Sequence, residues 1–189
     1  MELKVENLTK HYGGKTVLDG VSFALREGVT CLMAPSGAGK TTLLRLLLGL
    51  EKADGGQITG LAGRRISAVF QEDRLLPGLD AAGNLRFALG ADYDEGKAAE
   101  LLGELGLSDV GDKAVRDYSG GMRRRLALAR ALLFPCDILL LDEPFTGLDP
   151  ENRRRAAACV RRHGAGKIVF VVTHEASDAE ALEAEILRL

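Results

Sequence analysis

Val29-Thr30-Cys31-Leu32-Met33-Ala34-Pro35-Ser36-Gly37-Ala38-Gly39-Lys40-Thr41-Thr42 is the stretch on which the reading of this chain turns. Its first five residues form a short apolar run, as in a strand covered on both faces. Thr41–Leu50, rich in leucine, reads as a helix ending near Gly49. The loop between them matches G-x-x-x-x-G-K-[ST], with Ala34 in place of the first glycine. Small residues let successive backbone N–H groups turn inward around a phosphate, and the helix N-terminus adds a partial positive charge. Lys40 is then expected on the β- and γ-phosphates and the Thr41 hydroxyl on Mg²⁺. Ala34 is harmless at negative φ and strained at positive φ, so its backbone angle decides what the departure costs.

Outward from this loop, Leu3–Thr9 and Val17–Arg26 alternate like half-buried strands, with the turn-forming pair Gly13–Gly14 between them. Ile58–Thr59 and Ile66–Phe70 are further strand candidates. From about Glu72 to Pro135 the pattern becomes helical, over Asp80–Leu89, Lys97–Leu105 and Ser119–Phe134. In the last of these Met122, Leu126, Ala129 and Leu133 recur at helical intervals. The chain then returns to strand (Ile138–Leu141), helix (Glu151–His163), strand (Ile168–Val172), helix (Ala176–Ala184) and a final short strand. Strand–helix alternation around buried runs predicts an α/β fold with a mostly parallel sheet. We expect one domain over 1–189, with a catalytic core of residues 1–71 and 135–189 that includes N-terminal antiparallel strands. Residues 72–134 are the expected inserted helical subdomain.

The composition narrows the function. With 25 Lys+Arg against 27 Asp+Glu, a net charge of −2, 5% aromatics and no Trp, an extended nucleic-acid surface is disfavoured. Arg123–Arg125, Arg153–Arg155 and Arg161–Arg162 fall on predicted helices and are read as solvated helix faces. Cys31, Cys136 and Cys159 are odd in number and widely spaced, which predicts reduced thiols in a cytosolic protein. No apolar run approaches the roughly 18 residues of a spanning helix, and the N-terminus lacks the apolar core of a signal peptide.

Two further segments carry chemistry. Cys136-Asp137-Ile138-Leu139-Leu140-Leu141-Asp142-Glu143-Pro144 is a buried strand ending in two carboxylates, where ligands gather in parallel sheets. Asp142 suits a Mg²⁺ shell, and Glu143 suits the positioning and deprotonation of an attacking water. Tyr118-Ser119-Gly120-Gly121-Met122-Arg123 places a capping serine and two glycines at a helix N-terminus. That is a second anion site, which a single nucleotide site does not need.

Together these residues resemble the ATP-binding-cassette (ABC) ATPases over essentially the whole chain. Ala34–Thr42 stands where the family has Walker A, Ile138–Asp142 with Glu143 where it has Walker B, and Tyr118–Met122 where it has the signature LSGGQ. Gln71 in Val69-Phe70-Gln71-Glu72-Asp73 fits the Q-loop, Gly147-Leu148-Asp149-Pro150 the D-loop, His174 the switch histidine and Tyr12 the aromatic that stacks on adenine. Ser-Gly-Gly-Met-Arg and Phe70–Pro77 look like the nitrate/sulfonate/taurine-type importer branch. Tyr118 departs from the usual Leu.

The resemblance implies a P-loop NTPase core that binds and hydrolyses ATP with Mg²⁺. Pro35, Ser36, Gly37, Ala38, Gly39, Lys40, Thr41 and Thr42 would hold the phosphates. Thr41, Gln71 and Asp142 would hold the metal, and Glu143, His174, Gln71 and Lys40 would act in catalysis. It also implies a head-to-tail dimer, expected to be a homodimer, in which Ser119, Gly120 and Gly121 meet the partner's ATP, with Asp149 of the D-loop as a further nucleotide-binding residue. The implied partners are transmembrane permease subunits on the cytoplasmic face of the cell membrane and, in a complete importer, a substrate-binding protein. A chromosomal or ribosomal cassette would be expected to carry coiled-coil insertions or tandem cassettes. A purely regulatory module would not be expected to keep Glu143 and His174. A GTPase would carry N-K-x-D, and no such motif is present. The chain runs 15 residues past His174, so no C-terminal regulatory domain is expected.

Overall fold

The computed structural model describes residues 1–35 and 37–188. Two strands, β1 (Glu2–Tyr12) and β2 (Lys15–Arg26), form the N-terminal hairpin. Its two-residue turn places Gly13 at φ 53° and Gly14 at φ 81°, the double left-handed geometry that a twisted hairpin favours and side chains resist. After β3 (Gly28–Met33) and helix α1 (Lys40–Leu47), the strand β4 (Gly55–Thr59) returns to pair antiparallel with β1. The result is a three-stranded sheet of order β2-β1-β4. Strand β5 (Ile66–Val69) joins β6 (Ile138–Asp142), β7 (Ile168–Thr173) and the last strand, β8 (Glu185–Arg188), in a second sheet. Its order is β5-β6-β7-β3-β8, and every pairing is parallel.

Both faces of the parallel sheet are covered, which explains the uninterrupted apolar runs of β6 and β7. Ile138, Leu140, Ile168, Phe170 and Val172 point toward α1 and the antiparallel sheet. The Phe23 and Phe170 rings stack 5.7 Å apart and join the two sheets. Leu139, Leu141, Val169 and Val171 point the other way, into a core shared with the helices. Those are α2 (Ala81–Leu89), α3 (Glu95–Glu104), α4 (Gly120–Leu133), α5 (Pro150–His163) and α6 (Ala176–Leu182). The first three lie between β5 and β6 in sequence. Asp80, Asp94, Ser119 and Asp149 cap α2, α3, α4 and α5 by accepting from backbone amides of the first turn.

Helix α4 is buried well beyond its predicted stripe, with every residue from Arg124 to Leu132 except Arg130 shielded from solvent. This corrects the expectation of a solvated face. Arg124 and Arg125 are only 4% and 9% exposed, because their guanidinium groups meet backbone carbonyls instead of water. The three cysteines are free. Burial pushes the Cys31 thiol up to about 12, so it stays protonated and inert. Among the described residues, no helix is long and apolar enough to cross a membrane.

Candidate functional site

Parallel strands deliver their C-terminal ends to one edge of the sheet, and a cleft of about 330 Å³ opens there. It is lined by Val17, Gly37, Gly39, Lys40, Thr41, Thr42, Gln71, Asp142 and Glu143. Gly39 caps α1 at φ 82°, and a Cβ there would lie 2.8 Å from Leu18 Cδ2 and 2.9 Å from the Val17 carbonyl. The loop thus packs directly on β2, at a distance only glycine allows. Ala34 lies outside the positive-φ region, so its methyl group causes no backbone strain. Lys40 Nζ donates to the carbonyls of Ala34 (2.7 Å) and Pro35 (3.1 Å), and the Ala38 amide donates to the Pro35 carbonyl (3.2 Å). Ser36, also expected in this loop, lies outside the described residues.

Thr41 Oγ1 donates to Asp142 Oδ2 at 3.0 Å. Burial pushes the Asp142 carboxyl above the usual carboxylate range, although Thr41, Arg124 and Lys40 pull it back. A divalent cation fits this pair: it would neutralise a desolvated acid beside a hydroxyl oxygen. No group of three or more His, Cys, Asp or Glu converges among the described residues. That donor set suits Mg²⁺, which is commonly held by one or two carboxylates together with substrate phosphates and water.

Glu143 follows immediately at φ 46°, a conformation that non-glycine residues adopt at a cost and that clusters at functional sites. Its Oε1 lies 3.0 Å from His174 Nδ1, and its Oε2 accepts from Thr146 Oγ1 at 3.3 Å. Gly120 and Gly121 line a second cavity of about 200 Å³ beside the cleft, also bounded by Gln71 and Glu143. Ser119 accepts from the Met122 amide (3.2 Å). Asp149 accepts from the amides of Glu151 and Asn152, and the Asn152 amide holds its carboxyl below the usual range.

The structure therefore gathers the loop residues, Gln71, Asp142, Glu143 and His174. Tyr12 stands apart, 43% exposed and hydrogen-bonded to Glu51, and it does not line the cleft. Sequence reading missed Val17, which flanks the loop; the only signal was its place at the start of a strand. It also missed Arg124, whose neighbours are brought together by topology alone.

The ABC transporter family model matches residues 18–146. The chain is 42% identical over 194 residues to an aliphatic sulfonates import ATP-binding protein of Paraburkholderia xenovorans (strain LB400), covering 99% of this chain and 76% of that protein. It is 37% identical over 206 residues to a probable sulfate/thiosulfate import ATP-binding protein of Chlorella vulgaris, covering 100% and 87%. A Nod factor export ATP-binding protein I of Ralstonia nicotianae (strain ATCC BAA-1114 / GMI1000) is 41% identical over 197 residues, covering 95% and 61%. The family match over residues 18–146 and relatives of this identity and coverage establish that the chain belongs to the ABC transporter family, as one of its ATPase subunits.

Proposed function

We propose that this chain is the motor of an importer: it binds ATP in the sheet-edge cleft and couples its hydrolysis to separate transmembrane permease subunits. The observation that carries the reading is Glu143, held at left-handed φ in the same cleft as Lys40 and Thr41 and paired with His174. In this reading the backbone amides of residues 37–42 and the Lys40 ammonium bind the phosphates. Gln71 orients the attacking water, and Glu143 Oε1 or Oε2 takes its proton while His174 fixes the carboxylate. Thr41, Asp142 and Gln71 are the residues that would hold Mg²⁺, which when bound offsets phosphate charge. Tyr12 is the aromatic that would stack on adenine, and its hydroxyl is held by Glu51.

A second copy, packed head to tail, supplies Ser119, Gly120, Gly121 and Asp149. Exposed backbone amides at the N-terminus of α4 support this, since they suit an anion and the chain's own cleft already has its phosphate loop. We assign residues 72–134 as the helical unit and 1–71 with 135–189 as the core. Leu76 and Leu79, which follow Gln71 closely in the chain, and Phe87 on α2 are exposed and support a permease-docking surface on this part of the chain, on the cytoplasmic face of the membrane. The sulfonate and sulfate/thiosulfate relatives support import, and a substrate-binding protein is expected in the complete system. The Nod factor export relative is consistent with cargo being chosen by the membrane chains.

Mg²⁺-dependent ATP hydrolysis measured across chain concentrations tests the paired arrangement. Specific activity that rises with concentration, alone or with permease present, is expected. A concentration-independent rate would overturn the shared site.

A further inference from the structure

Arg124 is the most thoroughly engaged buried charge in the molecule's centre, and the ATPase reading gives it no task. It lies on α4, one turn after the Ser119-Gly120-Gly121 end. The β5–β6 ladder ends at Val69 and Leu141, so the carbonyls beyond it have no partners on each other's strand. The Arg124 guanidinium fills that gap. Its Nη1 donates to the Phe70 carbonyl (2.5 Å), the Gln71 carbonyl (3.4 Å) and Asp73 Oδ1 (3.2 Å). Its Nη2 donates to the carbonyls of Asp142 and Glu143 (the latter at 2.7 Å), and Nε donates to that of Pro144 (3.2 Å). A second arginine of α4, Arg130, holds the Asp73 and Arg74 carbonyls at 2.9 and 2.6 Å.

We infer that Arg124 is a positioning residue for hydrolysis: its rigid fork sets the backbone of Gln71 against that of Glu143 and ties both to the helix carrying Ser119–Gly121. A planar guanidinium can span two chain segments at once, whereas an ammonium serves one point. The two groups it spans are those that must hold one water between them, and small misplacements there are costly. A movement of α4 is thereby passed to both. This inference rests on the hydrolytic reading of Gln71 and Glu143.

The test compares Arg124→Met with Arg124→Gln, two uncharged side chains of similar length that differ in N–H donors. Arg124→Met is expected to lower kcat about 100-fold while leaving ATP affinity and KM within about threefold. Arg124→Gln is expected to recover about tenfold of that loss, because its amide restores some of the carbonyl partners. Equal loss in both variants, or a loss that follows affinity or the folded fraction, would overturn the role. If Arg124→Met does not fold, Arg124→Lys replaces it, with about a tenfold kcat loss expected at unchanged affinity. A kcat within about twofold of the parent would overturn the role.

Should the parent chain bind ATP without any turnover, that result counts against the hydrolytic reading alone. Hydrogen exchange then decides the positioning role. Amides of residues 70–74 and 143–146 should exchange about tenfold faster in Arg124→Met, while those of α3 and β1 stay unchanged. A uniform change, or none, would refute it.

Discussion

Gly39 and Ala34 lie in one loop and tolerate opposite substitutions. A methyl group on Gly39 would meet Leu18 Cδ2 at 2.8 Å and the Val17 carbonyl at 2.9 Å, on a residue already at φ 82°. Gly39→Ala should therefore cost about 2 kcal/mol of stability, and ATP affinity should fall about tenfold or more as the loop shifts. Ala34 has no such constraint. Ala34→Gly should cost about 1 kcal/mol at most, through the added freedom of the unfolded chain, and leave ATP affinity within about twofold. Thermal melts and nucleotide titration of the pair check both outcomes; a large gain in affinity for Ala34→Gly would contradict this account of the loop. The glycines and the Lys–Thr pair are visible in sequence because a phosphate loop is built from adjacent residues. Arg124 was not visible as a buried group. Its carbonyl partners come from two strands distant in sequence, and three consecutive arginines look like solvated charge until the strand ends are assembled around them.

At the level of elements, the helices between β5 and β6 depend on their first turns. The Asp80 carboxylate accepts from the Gly83 amide at 2.6 Å and caps α2, which packs against α4. Asp80→Ala should cost about 1 kcal/mol and lower Tm by about 2–4 °C, with ATP hydrolysis by the surviving fold unchanged to within about twofold. Melting curves and assays well below Tm check this, and an unchanged Tm would contradict the capping role. The elements themselves were largely legible. The strand at 28–33, the run at 138–142 and the helices starting after Asp80, Ser119 and Asp149 each carry a local signal, whether an apolar run, a cap or a proline at the first turn. The full burial of α4 was less legible. Periodicity reveals one apolar stripe, whereas this helix packs against the sheet, α2, α3 and α5, and its polar residues are satisfied by backbone.

Across the whole molecule, one parallel sheet separates two apolar cores and opens the cleft at its C-terminal edge. The antiparallel sheet and α1 brace the phosphate loop from one side. The other core carries α4, whose arginines grip the strand ends bearing Gln71, Asp142 and Glu143. In the proposed mechanism nucleotide binding and water activation draw on different parts of the same edge, so they should separate on mutation. Glu143→Gln is the most direct test, because it keeps the size of the side chain and removes the base. Measured together by nucleotide titration and phosphate release, the variant should bind ATP within about threefold of the parent and lose about 100-fold or more of kcat. Turnover close to that of the parent, or a loss of turnover matched by an equal loss of ATP affinity, would contradict the assignment of Glu143 as the group that activates water.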